Sequence, residues 1–238
     1  RLVFFSDGVT QSGMGSKGLP FGWGQKNVQD FILQCIKDNP AISARELARK
    51  VVQKASSYDD FAPKDDITCG VVYFRNPRDL LVVTGPPILK ENDVELARLF
   101  DHFDGQKMIC GGTTANIIGR ELGKKIIVQL KNIDPEVPPM SIMDGADMVT
   151  EGIITMGKVA ELLDNGARTE RLRPNAVTRI VEMFLDCDRI HFAVGTKINE
   201  AHQDPNMPEE LEIRRNVIKK IAVLLQDKYL KEVKIQYF

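Results

Sequence analysis

Cysteine and histidine are both scarce in this chain. The four cysteines, Cys35, Cys69, Cys110 and Cys187, lie far apart and never form C-x-x-C, and the three histidines, His102, His191 and His202, never form H-x-x-x-H. Zinc chemistry and a disulfide framework are therefore not indicated. Each cysteine sits in an apolar run, as expected for reduced, buried thiols in a cytoplasmic protein. Neither sign of charge dominates: 32 Lys+Arg against 33 Asp+Glu leaves a net charge of −1. That balance removes the electrostatic case for nucleic acid or an anionic membrane as partner. No apolar run approaches the roughly 20 residues of a membrane span, and no signal peptide is visible.

What is present is an ordinary globular composition, 43% apolar and 27% charged over 238 residues, enough for one large domain or two modest ones. Leu2 to Phe5 is an uninterrupted run of β-formers ending in Ser6-Asp7-Gly8, which reads as turn chemistry. A chain that opens directly on a strand is expected to be a piece of a longer one. A glycine-rich stretch, Gly13 to Gly24, holds the single tryptophan, Trp23. The spacing of Val28, Phe31, Ile32, Cys35 and Ile36 predicts a helix starting at Asn27. Ser43 with Glu46 is a capping-box pattern opening a second helix with Leu47, Val51 and Val52 on its apolar side. Ile67 to Phe74 reads as a buried strand.

"RNPRD" (Arg75 to Asp79) breaks the pattern, since Asn-Pro favours a turn. We place a first domain at residues 1–75, a linker at 76–79 and a second domain at 80–238. Beyond the linker, strands and helices alternate. Strands are expected in "LLVVTGPP", "KMICGG", "KKIIVQL", "RIHFAVGT" and "VKIQYF". Helices are expected over Glu91 to Phe103, "TTANIIGREL", Met148 to Leu163 with a break at Gly152, Asn175 to Leu185 opened by Pro174, and Glu209 to Leu230. Such alternation predicts an α/β domain with a mostly parallel sheet.

Two acidic features stand at strand ends in the first domain. Asp7 follows the opening strand with Gly8 behind it, and Asp65-Asp66 immediately precedes Ile67 to Phe74. Carboxylates at the ends of adjacent strands can converge, and without Arg or Lys between them they repel unless a hard cation intervenes. Oxygen ligands suit Mg²⁺ or Mn²⁺.

"VFFSDGVTQSG" followed some sixty residues later by "DDITCGVVYF" resembles the two C-terminal signatures of the metal-dependent protein phosphatases. This is the PPM or type 2C family, and the match is nearest to its bacterial SpoIIE-like branch. The resemblance covers roughly residues 1–75. It implies part of an α-β-β-α sandwich with a two-metal Mn²⁺ or Mg²⁺ centre, acting on a phosphoserine or phosphothreonine protein substrate. Carried over residue by residue, it makes Asp7 and Asp65 ligands to one metal, places Gly8 in the adjoining turn, and puts Asp66 where other branches carry Asn. The family's bridging Asp-Gly and an upstream acidic residue have no counterpart here. The expectation is therefore a phosphatase parent, in which metal-activated water attacks phosphorus, and an inactive fragment. A sandwich cut short would leave an edge open to pairing, so a homodimer is also expected.

Residues 80–238 resemble a segment that follows the phosphatase domain in some SpoIIE-like proteins, with no activity to carry over. Here "CGGTTANIIGREL" runs from a strand through Gly111-Gly112 into a helix, with Thr113 and Thr114 at its start. Such a turn points N–H groups at one spot, where an anion or phosphate can sit, and equally describes a simple capped strand–helix turn. Neither the G-x-x-x-x-G-K-[ST] nor the G-x-G-x-x-G fingerprint is present. A second candidate places Asp144, Asp147 and Glu151 on one helical face. A third is "GTKINEAHQDP", with Lys197 as counter-charge and His202, Glu200 and Asp204 nearby. Arg214, Arg215, Lys219 and Lys220 on the last helix read as a solvated face. Three readings stay open: a metal-dependent phosphatase, a regulatory domain that senses a small anion or nucleotide or binds a protein, and a structural interaction domain with no small ligand.

Overall fold

In a computed structural model the chain forms two compact units, Arg1–Asn76 and Pro77–Phe238. The structure describes residues 1–128, 139–169, 172–197 and 210–238, with side chains of the last segment described from 213 onward.

The first unit runs β1 (Leu2–Phe5), α1 (Asp7–Gln11), α2 (Gln25–Asp38), α3 (Ala44–Tyr58) and β2 (Cys69–Val72). β1 and β2 pair antiparallel, from Leu2 opposite Val72 to Phe5 opposite Cys69. The two strands alternate faces, as pleating requires. Val3, Phe5, Cys69 and Val71 pack on a core of Val9, Trp23, Val28, Ile32, Leu47, Val51 and Ala55. Leu2, Phe4 and Val72, on the other face, are exposed. Trp23 meets Phe31 edge-on and Tyr58 at a tilt, both at 5.4 Å between ring centroids.

Three local expectations are corrected here. Asp7-Gly8 is not a turn; it opens the short helix α1. The strand expected over Ile67 to Phe74 is only Cys69–Val72 and is half-buried, its core-facing residues packing inward while Val72 on the other face is exposed. At the start of α3, Ser43 accepts from the Glu46 N–H at 3.2 Å, but the Glu46 carboxylate turns to Arg49 at 2.7 and 2.8 Å. The box is half made.

The second unit runs β3 (Asp79–Thr84), α4 (Asn92–His102), β4 (Gln106–Cys110), α5 (Gly112–Leu122), β5 (Ile126–Val128), β6 (Ser141–Met143), β7 (Met148–Thr150), α6 (Ile153–Asp164), α7 (Ala176–Asp186), β8 (Arg189–Val194), α8 (Glu210–Asp227) and β9 (Glu232–Tyr237). Its seven strands lie in the order β5-β6-β7-β4-β3-β8-β9. The five from β7 to β9 are parallel, and β5 and β6 add an antiparallel edge. The protein is thus an α/β fold with a mostly parallel main sheet. Leu80 to Val83 are all essentially fully buried, as a parallel strand covered on both faces requires. One face packs on α4 and α5 through Leu96, Phe100, Ala115 and Ile118. The other packs on α6, α7 and α8 through Val159, Phe184, Ile221 and Leu225.

A helix expected over Met148 to Leu163 is divided in two. Met148–Thr150 is a strand against β4, and α6 starts only after Gly152. A three-residue apolar run carries too little periodicity to reveal its type. α7 begins one residue beyond Asn175, which caps it: Asn175 Oδ1 accepts from the Thr178 N–H, and Thr178 Oγ1 accepts from the Asn175 N–H, each at 3.0 Å.

The sheet order has a functional consequence. From β3 the chain steps outward to β4 and later β7, then returns to build β8 and β9 on the other side. That is the pattern of a doubly wound sheet, which opens a crevice at the carboxyl ends of its strands where the direction reverses.

Candidate functional site

Antiparallel pairing places the end of β1 and the start of β2 at one edge of the small sheet. Ser6 fastens them. Its hydroxyl donates to the Asp66 carbonyl at 2.7 Å and accepts from the Thr68 N–H at 2.9 Å, while the Ser6 N–H donates to the Thr68 carbonyl at 3.0 Å. Gly8 then lies against the partner segment: a Cβ there would stand 2.5 Å from the Asp66 carbonyl oxygen and 3.5 Å from the Asp65 Cβ. Only glycine permits that approach. Asp7 and Asp65 thus belong to segments held together by backbone and hydroxyl contacts rather than by an ion pair.

Both carboxylates are exposed. Asp7 Oδ2 accepts from Gln11 Nε2 at 3.2 Å, and Asp65 Oδ1 accepts from the Asp66 N–H at 2.8 Å. Neither contact neutralises charge, and neither Asp pairs with Lys or Arg among the described residues. Such a donor set suits a hard cation that keeps much of its water, as Mg²⁺ does with one or two carboxylates. Among the described residues no three His, Cys, Asp or Glu side chains gather to hold a metal.

The second unit holds its own cleft, of about 680 Å³, at the carboxyl ends of its parallel strands. Thr84-Gly85-Pro86 after β3, Cys110 to Thr114 after β4 and Glu151 to Ile154 after β7 form its walls, with Asn116 and Arg214. Gly111, Gly112, Thr113 and Thr114 are therefore cleft residues. Lys197 is exposed outside this lining, its N–H donating to the Pro86 carbonyl at 3.0 Å. Among the described residues the cation lining the cleft is Arg214, a residue read from sequence as part of a solvated helix face. Its position depends on Gly85 and Gly195: a Cβ on Gly85 would come 2.8 Å from Arg214 Nη1, and one on Gly195 would come 2.2 Å from the Gly85 carbonyl oxygen. His202, Glu200 and Asp204 lie outside the described residues.

The acidic helix face expected from Asp144, Asp147 and Glu151 does not exist. Asp144 precedes Gly145 in a turn, and Asp147 accepts from the Lys107 N–H at 2.7 Å, extending the β4 edge. Glu151 alone reaches the cleft, because the strand β7 intervenes.

Cys110 also lines the cleft, but burial pushes its thiol up to about 12, outweighing the Thr150 hydroxyl that hydrogen-bonds it. It is a packing residue, not a nucleophile, at neutral pH. The remaining thiols are also raised, each chiefly by burial, with Cys187 reaching about 11. At the opposite end of β3 and β8, Asp79 accepts from Arg189 Nε at 2.8 Å and lies 3.0 Å from His191 Nε2. Arg189 is the main cause holding Asp79 below the ordinary carboxylate range, and the His191 contact adds to it.

No family model, curated protein or solved structure matches the chain. No helix among the described residues is long and apolar enough to cross a membrane.

Proposed function

We propose that the first unit contributes one side of the metal site of a SpoIIE-like protein serine/threonine phosphatase, with Asp7 and Asp65 as ligands to a shared Mn²⁺ or Mg²⁺. The supporting observation is the clamp at Ser6. Two acidic segments sixty residues apart in sequence are brought to one sheet edge, and Gly8 is the residue that lets them touch.

The roles of the chain's own residues follow from that edge. Asp7 and Asp65 supply negative oxygen donors; the Ser6 hydroxyl fixes their spacing; Asp66 turns its carbonyl to Ser6 and its N–H to Asp65. A divalent cation bound there supplies a Lewis acid that neutralises phosphate charge and activates water. Two carboxylates bind such an ion weakly, so hydrolysis of a phosphoprotein needs acidic ligands beyond those described.

Manganese titration monitored by electron paramagnetic resonance, where the free aquo ion's signal falls on binding, tests the reading. Wild-type protein should bind one Mn²⁺ at millimolar strength, and both Asp7→Asn and Asp65→Asn should lose it, while Asp30→Asn on α2 keeps it. Equal binding by all four proteins would rule the assignment out.

A further inference from the structure

The cleft of the second unit is built as a binding site, and its chemistry narrows the occupant. Two helices start in it. The first intrahelical bonds are those from the Ala115 N–H to the Gly111 carbonyl and from the Met156 N–H to the Gly152 carbonyl, at 3.0 and 3.3 Å. The N–H groups of residues 112–114 and 153–155 therefore have no intrahelical acceptor. No side chain caps either helix, because both N-cap positions are glycine. The two starts are close: a Cβ on Gly152 would lie 3.6 Å from the Gly111 Cα.

A second observation is independent of the helix ends. Thr114 is only 1% exposed and Thr84 only 3%, yet both line the cleft. Neither hydroxyl has a hydrogen-bond partner among the described residues. The Thr114 oxygen lies 3.4 Å from where a Gly111 Cβ would stand, so it faces the space that this glycine leaves open. Neither oxygen is itself sealed off, Thr155 Oγ1 being the fully buried side-chain oxygen without a partner among the described residues, so both hydroxyls offer a donor and acceptor to whatever fills the cleft. Arg214 adds a guanidinium to the same lining.

We propose that this cleft binds a small phosphate ester of nucleotide type, its phosphate group seated between the starts of α5 and α6. Unpaired N–H groups and the Arg214 guanidinium favour an anion with several acceptor oxygens. Glu151 excludes a bare anion as the best occupant. Its carboxylate oxygen lies 3.8 Å from where a Gly112 Cβ would stand, and it calls for hydroxyl donors on the ligand body. Pro86, Ile153 and Ile154 supply apolar wall. The volume falls within the roughly 300–1,000 Å³ of small-molecule sites. Cys110 plays no covalent part, and no reaction is implied. The site rests on none of the residues of the metal proposal.

Calorimetry and amide NMR of the whole chain, with EDTA present so that metal binding is irrelevant, provide the test. The probes are AMP, ribose 5-phosphate, inorganic phosphate and adenosine. AMP and ribose 5-phosphate should bind saturably and shift the amides of Gly111, Gly112 and Gly152, with inorganic phosphate weaker and adenosine silent. Arg214→Ala should weaken AMP binding at least about tenfold, as loss of a charged hydrogen bond does. Thr114→Val, which keeps the side chain's shape, should weaken it about three- to tenfold. Gly112→Val, at a position with open space beside it, should abolish it, whereas Arg215→Ala should leave it intact. Absence of binding by both phosphorylated probes, or binding that Gly112→Val and Thr114→Val leave unchanged, would overturn the proposal, as would adenosine binding as well as AMP.

Discussion

Gly111 and Gly152 cap two different helices and meet across the end of the sheet, the Gly111 N–H donating at 2.7 Å to the carbonyl of Thr150 just before the second turn. This contact registers β4 on β7 at the point where both strands give way to helices. Gly111 holds φ at +124°, a region closed to residues with a Cβ, whereas the backbone of Gly112 is ordinary and its neighbour lies at 3.8 Å. Gly111→Ala should therefore lower the unfolding free energy by about 1–3 kcal/mol. Gly112→Ala should be neutral or stabilising by up to about 1 kcal/mol. Urea denaturation of the two variants checks the contrast.

Ser6 is the tie between the two acidic segments, so Ser6→Ala should act on stability and metal affinity together. Losing a hydroxyl that both donates and accepts costs about 1 kcal/mol. The same change should weaken Mn²⁺ binding without removing a ligand. Denaturation and paramagnetic titration of one sample would show whether the two effects travel together.

Phosphate release is a separate question from metal binding. With no three His, Cys, Asp or Glu side chains gathered to hold a metal among the described residues, this 238-residue chain should hydrolyse p-nitrophenyl phosphate in Mn²⁺ no faster than its Asp7→Asn/Asp65→Asn variant. Turnover that depends on those two residues would show that the chain's carboxylates suffice.

Asp79 gives the second unit a pH dependence of known sign. Its carboxyl is held below the usual value of about 3.9, so at acidic pH the unfolded chain takes up its proton before the folded chain does. The stability it contributes is complete above that usual value and is lost as pH falls through the lower, folded one. Between pH 5 and 3, wild-type protein should lose more stability than Asp79→Asn, measured by thermal unfolding in matched buffers.

The thiols offer a check on burial. Cys110, raised to about 12 and fully enclosed, should resist iodoacetamide at pH 8 until the protein unfolds, and Cys187, at about 11, should lag as well. Cys69, only half-buried, should label first. Mass spectrometry of the time course separates them.

The parts of the fold that were legible in the sequence are those whose pattern is long enough to be unambiguous. Leu80 to Val83 is a continuous apolar run, and Ile190 to Val194 is one broken only by His191; both lie between turn signals and form the adjacent central strands β3 and β8. The start of α7 was read from Pro174 alone, and the reciprocal cap between Asn175 and Thr178 came only with the structure. β7 was not legible, since Met148–Thr150 is too short to distinguish from the helix beyond it, and the acidic face drawn through Asp144, Asp147 and Glu151 fell with that reading. Arg214 was hidden for a different reason. Nothing local marks it as a cleft residue; it becomes one because β8 lies beside β3, so that Gly85 and Gly195 can interlock beneath it. The contribution of Ser6 carried a faint local signal, a hydroxyl residue directly before Asp-Gly at a strand end, but its partner lies sixty residues away and only strand pairing supplies it.

The most direct test of the metal assignment is an anomalous difference map from crystals of this chain soaked in Mn²⁺. The account predicts one peak within coordination distance of carboxylate oxygens from both Asp7 and Asp65, absent from crystals of Asp65→Asn. A map with no peak at the β1–β2 edge, or a peak touching only one of the two residues, would contradict it.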